Sequence, residues 1–191
     1  MQHVAIDDKQ ELLAQLKEQL AHRLDEDKVK AIASFAEVFF ANAPYADLAE
    51  RRLEDLYGAV LSAWHLMQQH NPDEPVVRVF NPDFEGHGWQ STHTQVEVIG
   101  RDMPFLVDSV RIELNRRGIT VHSIYNAVLA TKRDAKYQLE YMTGTHAKDA
   151  PKGRESLIVI EVDRHSDPEL LADIEASLHD VLSDVRTAVA D

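Results

Sequence analysis

The hydrophobic periodicity of this chain changes at Pro75, and that change constrains the fold more than any other feature of the sequence. Before Pro75, apolar residues recur three and four positions apart along three segments, which is the spacing of amphipathic helices. After Pro75, short β-rich segments alternate with two helical ones. The sequence therefore predicts an α+β protein, with a helical bundle over residues 1–72 and a second domain over residues 73–191.

Three helices are expected in the first segment. Asp8, followed by Glu11, resembles a capping box that begins the first helix, and Asp25 resembles the cap of the second. Pro44 suits the first turn of a third helix, which is expected to end near His70. Because the connections are short, the three helices are predicted to be antiparallel neighbours.

Strands are predicted over residues 76–80, 92–99, 119–130, 138–142 and 157–162, with helices beginning near Asp102 and Asp167. From Thr92 onward this is the order of a ferredoxin-like βαββαβ unit that lacks its last strand. The strand at 76–80, joined to the next strand as a hairpin, is expected to occupy the missing edge. The predicted architecture is thus a ferredoxin-like antiparallel sheet with both helices on one face.

Charge and composition exclude several classes of function. The 33 Asp and Glu residues outnumber the 20 Lys and Arg residues, which gives a formal net charge of −13 and disfavours nucleic acid and anionic membranes as partners. There is no cysteine, signal peptide or long apolar run, so the cytoplasm is the expected compartment. The last helical pattern reaches Asp191 without a stop signal, which predicts a piece of a longer protein.

No motif for a nucleotide cofactor is present, and neither a cofactor nor a metal is expected in this chain. Two weaker alternatives remain open. Glu85, His87 and His93 could form a metal site, and Asp108-Ser109 with His122 could act as nucleophile and base. Either would make the chain a stand-alone metal-dependent or hydrolytic enzyme.

The turn between the strand at 92–99 and the following helix is the candidate binding site. Its backbone N–H groups lie at the positive end of a helix, where a carboxylate can bind. The alternative is a turn that only caps the helix and binds no ligand. The turn consists of Gly100, Arg101, Asp102, Met103, Pro104 and Phe105.

Two stretches resemble the N-terminal, ACT-like region of the large bacterial NAD-specific glutamate dehydrogenases. They are residues 76–82 with Gly86-His87-Gly88-Trp89, and Asp102-Met103-Pro104-Phe105-Leu106-Val107-Asp108-Ser109-Val110 continuing to Gly118. The resemblance implies that the catalytic and NAD-binding parts of the parent enzyme lie downstream. The parent would convert L-glutamate, NAD and water to 2-oxoglutarate, ammonia and NADH.

The same resemblance implies a non-catalytic regulatory or oligomerisation module that contacts other domains and subunits of its enzyme, as a homo-oligomer. An amino-acid-sensing domain, with its effector at Gly100–Phe105, is the alternative. Many ACT domains have glycine where this chain has Phe105. The ring of Phe105 is expected to fill the space that a ligand would need, and this favours the structural role.

Overall fold

A computed structural model describes residues 2–190, with side chains from Asp8 onward. The helices are α1 (Gln2–Ala21), α2 (Glu26–Phe39), α3 (Tyr45–Ala49), α4 (Leu53–Gln68), α5 (Phe84–His87), α6 (Leu106–Arg116) and α7 (Pro168–Ala190). The strands are β1 (Val76–Phe80), β2 (Thr94–Arg101), β3 (Val121–Arg133), β4 (Leu139–Gly144) and β5 (Gly153–Val162). No helix among the described residues has the length and hydrophobicity to span a bilayer.

The helical segment differs from its prediction at two places. Helix α1 already begins at Gln2, so Asp8 lies inside the helix and does not cap it. Residues 2–7 contain no Gly or Pro, and nothing in that stretch prevents the helix from forming. The predicted third helix is divided into α3 and α4, because Arg52 adopts an extended conformation with ψ 145°. The cap at Asp25 is confirmed, since its side chain accepts a hydrogen bond from the Lys28 N–H at 3.0 Å.

The sheet has the strand order β1-β2-β5-β3-β4, and all neighbours are antiparallel. This is the ferredoxin-like order, with β1 in the place of the missing last strand. The predicted hairpin is confirmed, because Val76 pairs with Ile99 and Phe80 pairs with Gln95. Strand β4 extends the sheet beyond β3, as the return strand of a second hairpin.

Helices cover both faces of this sheet. Helices α6 and α7 pack on one face, over Val96, Ile158 and Ile160, as predicted. On the other face, Leu157 and Val159 belong to the same core cluster as the buried side chains of α1, α2 and α4. The sequence predicts that the N-terminal bundle lies near the sheet, but it does not predict which face of the sheet the bundle covers. The division at residue 72 stays a prediction, although one apolar core includes residues from both sides of it.

Polar side chains at one end of this layer join α4 to the sheet. Glu155 is fully buried on β5, and its carboxylate accepts hydrogen bonds from Thr131 and from the guanidinium of Arg133. His70 Nε2, just beyond α4, lies 2.8 Å from Glu155 Oε2. Burial raises the pKa of Glu155, but the contacts from His70, Arg133 and Thr131 outweigh it and lower the pKa to about 2.

This arrangement predicts that Glu155 contributes stability that is lost in acid. The pKa of Glu155 falls from 4.5 to about 2 on folding, so its contribution is complete above the ordinary value and disappears as pH falls toward 2. We expect Glu155→Gln to be less stable than the parent near neutral pH, with the difference shrinking below pH 4.5. Urea unfolding across this range measures the effect. Glu37→Gln, which changes an exposed carboxyl group, is the control, and its difference in stability from the parent should not vary with pH. A Glu155→Gln difference that was equally constant with pH would contradict the prediction.

Candidate ligand-binding turn

The predicted turn begins within β2, because Gly100 and Arg101 are the last two residues of that strand, and Pro75 packs closely on Gly100. A Cβ on Gly100 would lie 3.2 Å from both Cα and Cβ of Pro75. The next N–H, that of Arg101, donates to the Pro72 carbonyl at 2.8 Å. Residues 72–75 are therefore held directly against the end of β2, because no side chain at position 100 separates them.

The two charged residues of the turn are bound to neighbouring parts of the protein. Arg101 Nε donates to Asp73 Oδ1 at 2.7 Å, and this hydrogen bond lowers the pKa of Asp73. Asp102 accepts a hydrogen bond from the Ser156 hydroxyl, and its own N–H donates to the Arg154 carbonyl at 3.0 Å. Both side chains thus fix the turn to its surroundings.

Phe105 does not fill the space beside the turn, contrary to the expectation from the sequence. Its backbone is left-handed, with φ 68°, and its side chain is 70% exposed. Phe105 stands at the N-cap position of α6 without a side-chain capping bond. A non-glycine residue in this region costs about 1–2 kcal/mol. The ring therefore points to solvent, and the position keeps the backbone shape that glycine adopts freely.

A small apolar cavity of about 60 Å³ lies under the turn. Side chains from both strands and helices form its walls, namely Val98, Met103, Leu106, Ile158 and Leu182. Its rim is polar, with Asp73, Arg101, Ser156 and Arg186. The guanidinium of Arg186 donates to the Asp73 carbonyl. Such a site can take a small apolar group and place an attached carboxylate near two arginines.

Of the predicted turn residues, Gly100, Arg101 and Met103 line this cavity, whereas Pro104 and Phe105 are exposed. The sequence missed Asp73, Leu182 and Arg186, which come from distant segments. No local pattern marks them, because only the fold brings the residue 72–75 turn and α7 to the end of β2.

The alternative metal and hydrolase sites are not assembled. His87 stacks on Phe80 with 4.7 Å between ring centroids, while the His93 and His122 rings are tilted by 50° with their centroids 4.5 Å apart. Among residues 8–190, no three His, Asp or Glu side chains converge as metal ligands. His122 Nε2 lies 2.6 Å from Asp163 Oδ1, and within the same residues no hydrogen bond joins it to Asp108 or Ser109.

A ferredoxin-like sheet with two helices on one face, and a strand-to-helix turn beside a small cavity, is the arrangement of an ACT-like module. A family model described as "Glutamate dehydrogenase, ACT1 domain" matches residues 35–178, and the chain belongs to that family. No solved structure matches the chain.

Two relatives are named NAD-specific glutamate dehydrogenase. The chain is 60% identical over 192 residues to the protein of Halomonas elongata, covering 100% of this chain and 12% of that protein. It is 46% identical over 179 residues to the protein of Pseudomonas aeruginosa, covering 93% of this chain and 11% of that protein. The chain therefore spans only about an eighth or less of the length of these relatives.

Adding one methyl group at Gly100 should disturb the turn. In Gly100→Ala the new Cβ meets the rigid ring and backbone of Pro75, so we expect a loss of about 1–3 kcal/mol in the free energy of unfolding. Gly144→Ala is the matched control, because a Cβ there meets no atom within 4 Å. Urea denaturation of both variants checks this, and equal stabilities would show that Pro75 can move aside.

Relief of the backbone strain at Phe105 should stabilise the protein. We expect Phe105→Gly to gain about 1 kcal/mol, since glycine adopts the left-handed region freely and the exposed ring contributes little packing. Phe105→Ala removes the same ring but keeps the Cβ, and should show no such gain. Chemical denaturation of the two variants separates backbone strain from ring removal. An equal gain in stability in both variants would contradict backbone strain at Phe105.

Proposed function

We propose that this chain is a non-catalytic regulatory and assembly module of an NAD-dependent glutamate dehydrogenase. The observation that carries the proposal is the match to the ACT1 domain family, together with relatives named as that enzyme. The whole protein would convert L-glutamate, NAD and water to 2-oxoglutarate, ammonia and NADH. NAD would bind to parts of it outside this chain.

The partners of the module would be other domains and subunits of the same enzyme, assembled as a homo-oligomer in the cytoplasm. The net charge of −13 argues against nucleic acid and anionic membranes. A sheet can recruit such partners at an edge, where backbone N–H and C=O groups are unpaired.

The two edges of the sheet are not equivalent. Helix α7 lies along β1, and Glu175 Oε2 accepts the hydrogen bond of the Val79 N–H at 3.0 Å. This contact occupies one of the groups that an incoming strand would need. At the opposite edge, β4 carries Tyr141, which is 52% exposed, and its charged residue Glu140 is paired with Lys132. These differences favour β4 as the edge that adds a neighbouring strand.

Light scattering after size exclusion tests the assembly role. We expect the 191-residue chain to form dimers at high concentration. Tyr141→Lys should weaken them, because a charge at the pairing edge opposes strand addition. Phe84→Lys places the same charge on an exposed aromatic away from β4 and should have no effect. Monomer alone at every concentration would contradict assembly through this chain.

A second candidate function is amino-acid sensing at the turn of residues 100–105. It is favoured by the apolar cavity with Arg101 and Arg186 at its rim, and by the outward direction of Phe105, which leaves the cavity open. A ligand would bind its carboxylate at the guanidinium groups and its side chain against Leu106 and Leu182.

A thermal-shift screen with the amino acids, 2-oxoglutarate and NAD tests this second function. A ligand at a hundred times its Kd stabilises by about 2.7 kcal/mol. Each kcal/mol moves the midpoint by roughly 2–4 °C in a domain of this size. We expect a shift with an amino acid that Arg186→Gln reduces and Arg111→Gln, on the exposed side of α6, does not. The absence of a shift with every amino acid would contradict sensing.

A further inference from the structure

A second, larger pocket lies between the end of α1, the start of α4 and the loop that contains α5. Its volume is about 240 Å³, and it shares no lining residue with the cavity at the β2 turn. The residues that give it chemical character are Gln19, Arg23, Glu54, Tyr57, Phe84 and Trp89. They combine an aromatic wall, a guanidinium, an amide and a carboxylate, and Arg52 also lines the pocket.

The pocket is preformed, because a buried indole fixes its loop to α4. Trp89 is only 4% exposed and packs directly on the helix backbone at Gly58. A Cβ on Gly58 would lie 2.1 Å from Trp89 Cδ2, so the ring occupies the space that a side chain would take. This contact holds the wall that carries Phe84 against the helix that carries Tyr57.

Arg23 supplies a cation that the described carboxylates leave unpaired. Its guanidinium lies over the Tyr57 ring, 5.7 Å from the centroid, and it forms no salt bridge within residues 8–190. Arg52, also in the wall, is instead engaged with both carboxylate oxygens of Asp55, at 3.1 and 2.8 Å. The guanidinium of Arg23 can therefore take an added carboxylate. Its planar fork fits a carboxylate oxygen pair.

An acceptor for a ligand donor is supplied by Glu54. Its side chain is exposed in the pocket wall, and its carboxylate forms no hydrogen bond or salt bridge with other side chains within residues 8–190. A ligand that carries an O–H or N–H can therefore donate to this carboxylate.

Phe84 determines the shape of the ligand. Its ring is 64% exposed and lies in the pocket wall together with Tyr57. Exposed aromatic rings in a concave site stack on flat partners in offset or edge-to-face geometry. The wall therefore favours a planar ring over a branched aliphatic chain.

We infer that this pocket binds a planar aromatic carboxylate that also carries an O–H or N–H donor. The carboxylate lies on the Arg23 guanidinium, the ring packs against Phe84, and the donor reaches the Glu54 carboxylate. This inference does not depend on the proposed function, because no residue of the β2 turn or of strand β4 contributes to it.

Titration calorimetry of the 191-residue chain with three matched probes tests the inference. The first probe, para-hydroxybenzoate, has the ring, the carboxylate and the donor. The second, para-hydroxybenzamide, lacks the charge, and the third, para-methoxybenzoate, lacks the donor. We expect saturable binding of para-hydroxybenzoate with a Kd near or below about 1 mM. Each of the other two probes should bind about tenfold more weakly.

Variants then locate the site. Arg23→Gln should weaken para-hydroxybenzoate by about tenfold, and Phe84→Ala should weaken both carboxylate probes. Arg111→Gln, which removes an exposed arginine on α6, is the matched control and should leave every Kd unchanged. Both pocket substitutions are at exposed side chains, and an unchanged thermal midpoint shows that the fold is retained. The inference is overturned if para-hydroxybenzoate does not saturate, or if its Kd is the same in all variants.

Discussion

Helix α4 is joined to the sheet by polar contacts at its beginning, middle and end, in addition to the apolar core that the two elements share. At its beginning, Arg51 Nη1 lies 2.7 Å from Glu161 Oε2. In its middle, the Ser62 hydroxyl donates to Glu97 Oε1 at 2.5 Å. At its end, the Met67 carbonyl accepts from Arg133, which also holds Glu155. A shift of the helix along the sheet would leave these polar groups without partners, and the cost of unpaired buried groups opposes such a shift.

The fold follows from the sequence wherever local pattern and packing agree. The hairpin of β1 and β2 was predictable because turn residues separate two β-rich runs, and the place of β1 followed from the vacant edge of a ferredoxin-like sheet. The nearly continuous apolar run of residues 157–162 is typical of a central strand, and β5 lies in the middle of the sheet. The sequence pattern does not reveal that the N-terminal bundle covers the face of the sheet opposite α6 and α7. That information lies in charges such as Glu97 and Glu161, which become interpretable only beside Ser62 on α4 and Arg51 just before it.

The strand-to-helix connection between β2 and α6 could be predicted from sequence, but its geometry could not. A strand-to-helix turn at Gly100 to Phe105 is readable from the change in periodicity. The direction of the Phe105 ring depends on a positive φ that few phenylalanines adopt, so the expectation of a filled space failed. Asp73 and Arg186 reach the turn from segments far apart in the chain, and their role depends on tertiary structure alone.

The Asp73–Arg101 pair sets what a ligand at this turn could do. A carboxylate that binds Arg101 must compete with Asp73, and both partners are more than half exposed. Exposed ion pairs contribute only about 0–1 kcal/mol, so the exchange would cost little. Asp73 also accepts from Arg186 on α7 through its carbonyl. A ligand would thus change the contacts between the residue 72–75 turn and α7, and it could shift their arrangement only by its difference in affinity for the two states.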